Sequence, residues 1–349
     1  MEYPLVSINL LLHQPGRYLK PCLDSILAQI YKKFELLIID NGSGDGTLEQ
    51  IQEIIKQAQE TGQILPPCRI IANQENLGFA AAHNLGIRAS RGELVFLINQ
   101  DIILEKDFLL AAVELFGRDE KIGSVQGKLL RLKVEGDSLL KTEIIDTAGL
   151  TILKNRRIIA RGQGQVDRQQ FNLIGEIFGV DGAAPAYRRS ALEDTKICLG
   201  QRCEYLDEDF YMYKEDVDLA WRLRLADWKA YYEPKAIAWH ARSAGDSAAI
   251  NYFAIIRERK KISKFAKYVA FKNQRLMQIK NEQPLLLLKH LFWFLPKEIA
   301  SWVYVILFER FTLRAIKDLF KQAPRAWRKR KKVMERKRIS NKEMGKWFK

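Results

Sequence analysis

Two phosphate-binding signatures are missing from this sequence. There is no GxxxxGK[ST], and Gly42-Ser43-Gly44-Asp45-Gly46 has the wrong spacing for GxGxxG. A P-loop enzyme and a nicotinamide dehydrogenase are therefore disfavoured. The segment Gln14-Pro15-Gly16-Arg17 is a poor version of the glycine-rich basic loop that a sugar-nucleotide-forming nucleotidyltransferase wants after its first strand. Cysteine is scarce: Cys22, Cys68, Cys198 and Cys203 show no CxxC spacing, which argues for reduced thiols and no zinc knuckle. The start, MEYPLVSIN, has neither the basic nor the apolar region of a signal peptide, so an intracellular protein is expected. A helix that spans a membrane wants about 20 apolar residues in a row. The most hydrophobic stretch, Leu285 to Phe308, is broken by Lys289, His290 and Pro296-Lys297-Glu298, and its uncharged part, Ile299 to Phe308, reads as too short to cross.

What is present is a chain of 349 residues, 47% hydrophobic, long enough to bury a sizeable core. Its net charge of +15 is uneven: residues 321–349 hold 13 Lys or Arg against Glu335 and Glu343, leaving about +4 for the rest. The basic character reads as a tail property, suited to an anionic surface. With Trp293, Trp302 and Tyr304 upstream, Leu285 to Phe308 fits helices lying in a membrane interface. Helices that close the core, followed by a solvated tail, are the alternative.

The first third alternates. Leu5 to Leu12, Phe34 to Asp40, Arg69 to Asn73 and Leu94 to Asn99 read as strands; Arg17 to Gln29, Leu48 to Glu60 and Ala80 to Ser90 read as helices. That order predicts an α/β fold, a mostly parallel sheet with helices on both faces and ligands bound beyond the carboxyl ends of its strands. Asp40 and Asp101 sit at those ends. From Leu132 to Asp181 the pattern weakens into irregular or antiparallel structure. Ala230 to His240 reads as an edge strand, and beyond Ser247 everything reads as helix.

The chemistry offered is acidic. A carboxylate at Asp40 can accept from a base N–H or a ribose hydroxyl, and one at Asp101 can hold a divalent ion. Each could equally cap a turn. Asp207, Glu208, Asp209, Glu215, Asp216 and Asp218 cluster around the start of a helix, where the helix dipole alone would favour them. One of them facing a pocket could serve as general base. His240 could supply a second metal ligand, imidazole being suited to Mn²⁺ and tolerable for Mg²⁺.

Four blocks, "VSINLLLHQPGRYLKPCLDSIL", "LLIIDNGSGDGT", "NLGFAAAHNLGIRASRGELVFLINQD" and "YMYKEDVDLAWRLRLADWK", resemble in order and spacing a bacterial family 2 glycosyltransferase of GT-A, Rossmann-like fold, in its rhamnosyltransferase-like branch. The resemblance spans about Val6 to Gly245. It implies that Asp40 contacts the donor's nucleobase or ribose, that Asn76, Gly78, His83 and Asn84 shape the nucleotide pocket, and that Asp101 is the last acid of a DxD motif whose first position is Asn99. It makes Asp216 the base, with Glu215 orienting the acceptor or holding the loop, Asp181 and Gly182 lining the acceptor side, and His240 joining Asp101 as metal ligand. His83 stands where the family often has Arg.

The implied reaction is inverting transfer of a sugar, rhamnose in the branch resembled, from a nucleoside diphosphate to a saccharide hydroxyl, assisted by Mn²⁺ or Mg²⁺. The expected acceptor is polyprenyl-diphosphate-linked, used in cell-wall or surface polysaccharide synthesis on the cytoplasmic face of the membrane. The expected organisation is a catalytic domain over 1–246, a helical membrane-associating extension over 247–320 and a basic tail over 321–349. A nucleic-acid-binding protein is disfavoured, because few aromatics interleave the basic residues; a catalytically silent scaffold is disfavoured by the retention of Asp101 and Asp216.

Overall fold

The computed structural model describes residues 3–62, 64–242 and 252–349. Strands β1 (Val6–Leu12), β2 (Phe34–Asn41), β3 (Cys68–Asn73) and β4 (Leu94–Asn99) pair in parallel in the order β4-β1-β2-β3. Helices α1 (Leu19–Leu27), α2 (Thr47–Glu60) and α3 (Phe79–Ala89) connect them. β1, β2 and β4 are almost continuously apolar because both faces are covered. Phe96 and Ile98 pack with α1 and with α4 (Phe108–Phe116), whereas Val95 and Leu97 face α3 and the later helices. The register places Leu12 opposite Asp40 and Leu11 opposite Asn99. The carboxyl ends of β1, β2 and β4 therefore form one edge.

Beyond β4 the sheet becomes mixed. β5 (Ile102–Leu104) is followed by a long antiparallel pair, β6 (Ile122–Glu135) and β7 (Ser138–Thr147); β8 (Leu150–Ile152) and β9 (Ile158–Ala160) form a small separate sheet. β10 (Gly175–Ile177), β11 (Ala186–Arg188) and β14 (Lys229–His240) complete the large sheet, with β11 inserted antiparallel between β4 and β6. Helices α5 (Arg189–Thr195) and α6 (Glu215–Leu225) cover it. Strand β14 is interior, not an edge: it pairs with β6 on one side and with β10 and β5 on the other. The β5 pairing sets His240 opposite Ile102, directly after Asp101.

The four expected reduced thiols also need correction. β12 (Ile197–Leu199) and β13 (Arg202–Glu204) make a hairpin with Cys198 opposite Cys203, and the two form a disulfide. A four-residue spacer is not a CxxC, so only the hairpin register brings these sulfurs together.

The expected boundary at 246 lies outside the described residues. Helices α7 (Tyr252–Lys261), α8 (Lys264–Asn281), α9 (Pro284–Lys289), α10 (Leu291–Phe308), α11 (Leu313–Glu335) and α12 (Asn341–Gly345) follow. Helix α11 runs through the expected boundary at 320 without interruption, so the basic segment is no solvated tail. Leu319, Ala326 and Val333, seven residues apart, pack into a core with Trp221, Leu276 and Met277, and Phe348 meets Trp221 at a ring separation of 5.7 Å. Its charges have partners too: Lys329 is fully buried among Glu204, Asp207 and Asp209, Arg325 pairs with Asp209, and Arg338 with Asp194. Charge counting hid this because the counterions lie more than a hundred residues earlier.

Candidate active site

The aligned strand ends are stitched together by side chains. The amide of His13 donates to Gln100 Oε1 at 2.7 Å, joining β1 to the exit of β4. The amide of Gln14 donates to Ser43 Oγ at 3.0 Å, and Asp40 accepts from the Ser43 amide at 3.2 Å and from its hydroxyl. Gly42 is required where it stands, because a Cβ there would fall 2.6 Å from the Glu75 backbone. Asn76 Oδ1 accepts from Asn41 Nδ2 and from the Gly78 amide, both at 2.9 Å, and so shapes the loop that enters α3. Gly78, at φ +83°, would bring a Cβ to 2.5 Å from the Tyr211 ring. These residues build the walls of an edge on which Asp40 and Asp101 sit.

Two expected donor residues do not reach that edge. His83 is fully buried, with neither ring nitrogen hydrogen-bonded; burial pushes it down to about 3, so the ring is neutral, packed edge-on against Phe79 at 4.4 Å. Asn84 is also fully buried, and its amide is saturated. Its Oδ1 accepts from the Tyr205 and Leu206 amides, and its Nδ2 donates to Leu206 O and Glu208 Oε1. Helix α3 turns this face inward: Asn84 holds the segment before α6, and His83 packs in the interior against Phe79.

Asp101 and His240 do come together, with Oδ2 and Nε2 3.5 Å apart. On the far side of the ring Nδ1 lies 2.8 Å from Asp146 Oδ2, and Asp146 also meets Arg242 at 3.3 Å. Burial opposes charge on the imidazole, but Asp101 and then Asp146 prevail and push it up to about 10. A carboxylate oxygen beside an imidazole nitrogen whose remote nitrogen is held by a second carboxylate is a donor set that fits a divalent ion. Among the described residues no group of three or more His, Cys, Asp or Glu could hold a metal. The remaining ligands would be diphosphate oxygens and water. Nothing at the sequence level marked Asp146, which lies where the pattern was weakest.

Asp216, in the first turn of α6, is partly open. Its Oδ2 accepts from the Gly182 amide at 3.1 Å and its Oδ1 from its neighbour Val217 at 2.8 Å. Burial, reinforced by Asp181, pushes it up to about 6, against the pull of Lys214 and the two amides. Asp181 accepts from the Ala183 amide at 3.1 Å, and its own amide is held by Gln126 at 2.7 Å. Glu215 is buried with Oε2 unpartnered, and burial, then Asp216, push its carboxyl well above the usual range. Its placement does not open it to an acceptor. The Tyr187 hydroxyl, buried without a partner, is held protonated by burial and by these same acids. The rest of the acidic cluster is structural: Asp207 and Asp218 pair with Lys280, Asp209 with Lys329, and Glu208 with Arg202.

The structure thus holds Asp40 at a shared sheet edge, an Asp101–His240 pair at the exit of β4, and Asp216 at the start of α6 beside Asp181 and Glu215. The model of "Glycosyl transferase family 2" matches residues 12–195, over half of the chain, which therefore belongs to glycosyltransferase family 2. The poly-beta-1,6-N-acetyl-D-glucosamine synthase of Staphylococcus epidermidis is 28% identical over 234 residues, covering 67% of this chain and 49% of the synthase. That of Staphylococcus aureus strain MSSA476 is 30% identical over 217 residues, 62% and 45%. The chain thus spans about half the length of the curated relatives it matches. S. aureus TarS 1-349 superposes with a TM-score of 0.55 at 14% identity, covering 95% of this chain and 88% of that one. GalNAc-T7 with UDP, GalNAc and Mn²⁺ gives 0.55 at 12%, covering 86% and 58%. These two show the shared fold. The curated relatives are named for N-acetylglucosamine, and the expected rhamnosyl branch is not confirmed by them.

Proposed function

We propose that the protein transfers a sugar, with an N-acetylhexosamine as the first donor to test, from a nucleoside diphosphate to a saccharide hydroxyl with inversion. The observation that carries this reading is Asp216: a partly open carboxylate, fixed by the Gly182 and Val217 amides and raised to about 6 by burial and Asp181, suits a base working near neutral pH. Asp216 takes the acceptor's proton as its oxygen attacks the anomeric carbon, and direct displacement needs no enzyme nucleophile. Asp40 and the Asn76–Gly78 loop seat the nucleoside. Asp101 and His240 would hold a divalent ion, which when bound neutralises charge on the leaving diphosphate. The names of the relatives and the UDP-GlcNAc complex of TarS support a UDP-linked donor.

The acceptor in this reading is lipid-linked and the enzyme sits at the cytoplasmic face of the membrane. Support comes from α9 and α10. Helix α10 is 18 residues long, with mean hydropathy 1.4 and only 6% buried, enough by length and composition to cross a membrane, contrary to the reading of the broken run. Its charges, however, face the protein: Glu298 pairs with Arg275 of α8 and with Lys297, and Trp302 donates to Glu298. The outward face, including Phe292 at 80% and Phe308 at 70% exposure, is apolar. A helix with one face pinned to its own domain and the other apolar fits a bilayer surface.

The test is nucleoside diphosphate release from a panel of UDP-, GDP- and dTDP-sugars, with and without Mn²⁺ or Mg²⁺, using wild type and Asp216→Asn. Release from one class, lost in the variant, is expected; equal release by both proteins would remove Asp216 from the role of base.

A further inference from the structure

The loop that delivers Glu215 and Asp216 has a shape its own sequence disfavours. Tyr211, Tyr213 and Lys214 stand at φ of 63°, 66° and 79°, in the left-handed region that residues with a Cβ avoid. Lys214, at the entry to α6, makes no side-chain cap. The restraint comes from α8 instead. Nδ2 of the fully buried Asn273 donates to Phe210 O at 2.8 Å, Met212 O at 2.9 Å and Tyr213 O at 2.8 Å. Beside it Lys272 Nζ donates to Asp209 O at 2.6 Å, and Tyr211 O accepts from the Ala80 amide at 3.1 Å. Every carbonyl from 209 to 213 is therefore tied to a helix outside the loop. An amide NH₂ has two hydrogens, so three acceptors converging on one nitrogen share them. The loop is closed from the other side by Gly78, against which the Tyr211 ring packs, and by Phe265, edge-on to that ring at 5.9 Å.

We infer that Asn273 is a positioning residue for the base. By gathering three carbonyls it holds the strained loop, and so keeps Asp216 Oδ2 within 3.1 Å of the Gly182 amide. The inference rests on the reading of Asp216 as general base. Asn273→Asp preserves size but sets carboxylate oxygens against the three carbonyls, whereas Asn273→Ala removes the donor without adding repulsion. Turnover is measured per molecule that binds the nucleoside diphosphate released by wild type, determined by calorimetric titration, so that a partly folded variant is still read.

The expected result is a loss of kcat on the order of 10²-fold for Asn273→Asp, with a smaller loss for Asn273→Ala. Nucleotide affinity stays as in wild type, and the acid limb of the pH–rate profile moves away from pH 6. Asn281→Ala is the control: it removes another buried α8 amide, bonded to Asp218, and lowers stability without moving kcat per binding-competent molecule. Full kcat with an unmoved pH profile in both Asn273 variants, while Asp216→Asn is inactive, overturns the inference alone. No turnover by wild type on any donor overturns the glycosyl-transfer reading and the inference with it.

Discussion

At the scale of single residues, the site separates two ionisations. Asp216 is raised to about 6, so as a base it works once deprotonated: kcat/KM should climb through about pH 6 and level off above it. A profile flat down to pH 5 would remove Asp216 from the step; Asp216→Asn should cost about 10²-fold or more in turnover. His240 lies at the other extreme. With its proton held by Asp101 and Asp146 up to about pH 10, it lends the metal-free protein stability that is complete below about pH 6.5 and fades as pH rises through 10. A divalent ion needs the neutral ring, so it must displace that proton. Mn²⁺ titration in two buffers of different ionisation enthalpy should therefore show proton release, with affinity rising with pH. Asp146→Asn should weaken binding by about 10- to 100-fold. Buffer-independent heats would mean that His240 is not a ligand.

At the scale of elements, α8 and α11 share one hydrophobic core with α6. Lys329 of α11 enters a nest of Glu204, Asp207 and Asp209, and Lys280 of α8 bridges Asp207 to Asp218 at the root of α6. Breaking a buried ion pair from one side costs about 3–5 kcal/mol, so Lys329→Met should lower unfolding free energy by about that much in a denaturant titration. A change under about 1 kcal/mol would place Lys329 among surface pairs. The same elements show what was legible in the sequence. Apolar runs ending in acids exposed the parallel half of the sheet, with Asp40 and Asp101 on one edge, because period and position carry that information locally. The roles of His83 and Asn84 were misread because a matched motif does not say which way a helix faces. The disulfide depends on the register of one short hairpin, whereas the Asp146–His240 pair and the Asn273 restraint depend on contacts between distant segments.

At the scale of the whole molecule, the question is what covers the exposed apolar surface of α10. Phe292, Trp293, Leu295, Ile299, Leu307 and Phe308 all lie at the surface of α10, while Lys289, Arg310, Arg314 and Lys317 flank the patch and are exposed. Burying one large apolar side chain contributes roughly 1.5–3 kcal/mol, so a few of them suffice to hold the protein on a bilayer, with nearby basic residues favouring anionic lipid. Cutting the chain before α8 would not test this, since α8 and α11 carry part of the core. Point substitutions on the outer face do. Phe292→Glu with Leu307→Glu should abolish flotation with vesicles containing phosphatidylserine or phosphatidylglycerol while leaving the melting temperature and turnover on a soluble acceptor unchanged. Because the inner face of α10 is pinned through Glu298 to Arg275, the bound wild type should come off in alkaline carbonate. Equal flotation of variant and wild type would refute docking through this face, and wild type that resists carbonate would mean that α10 leaves α8 and crosses the membrane.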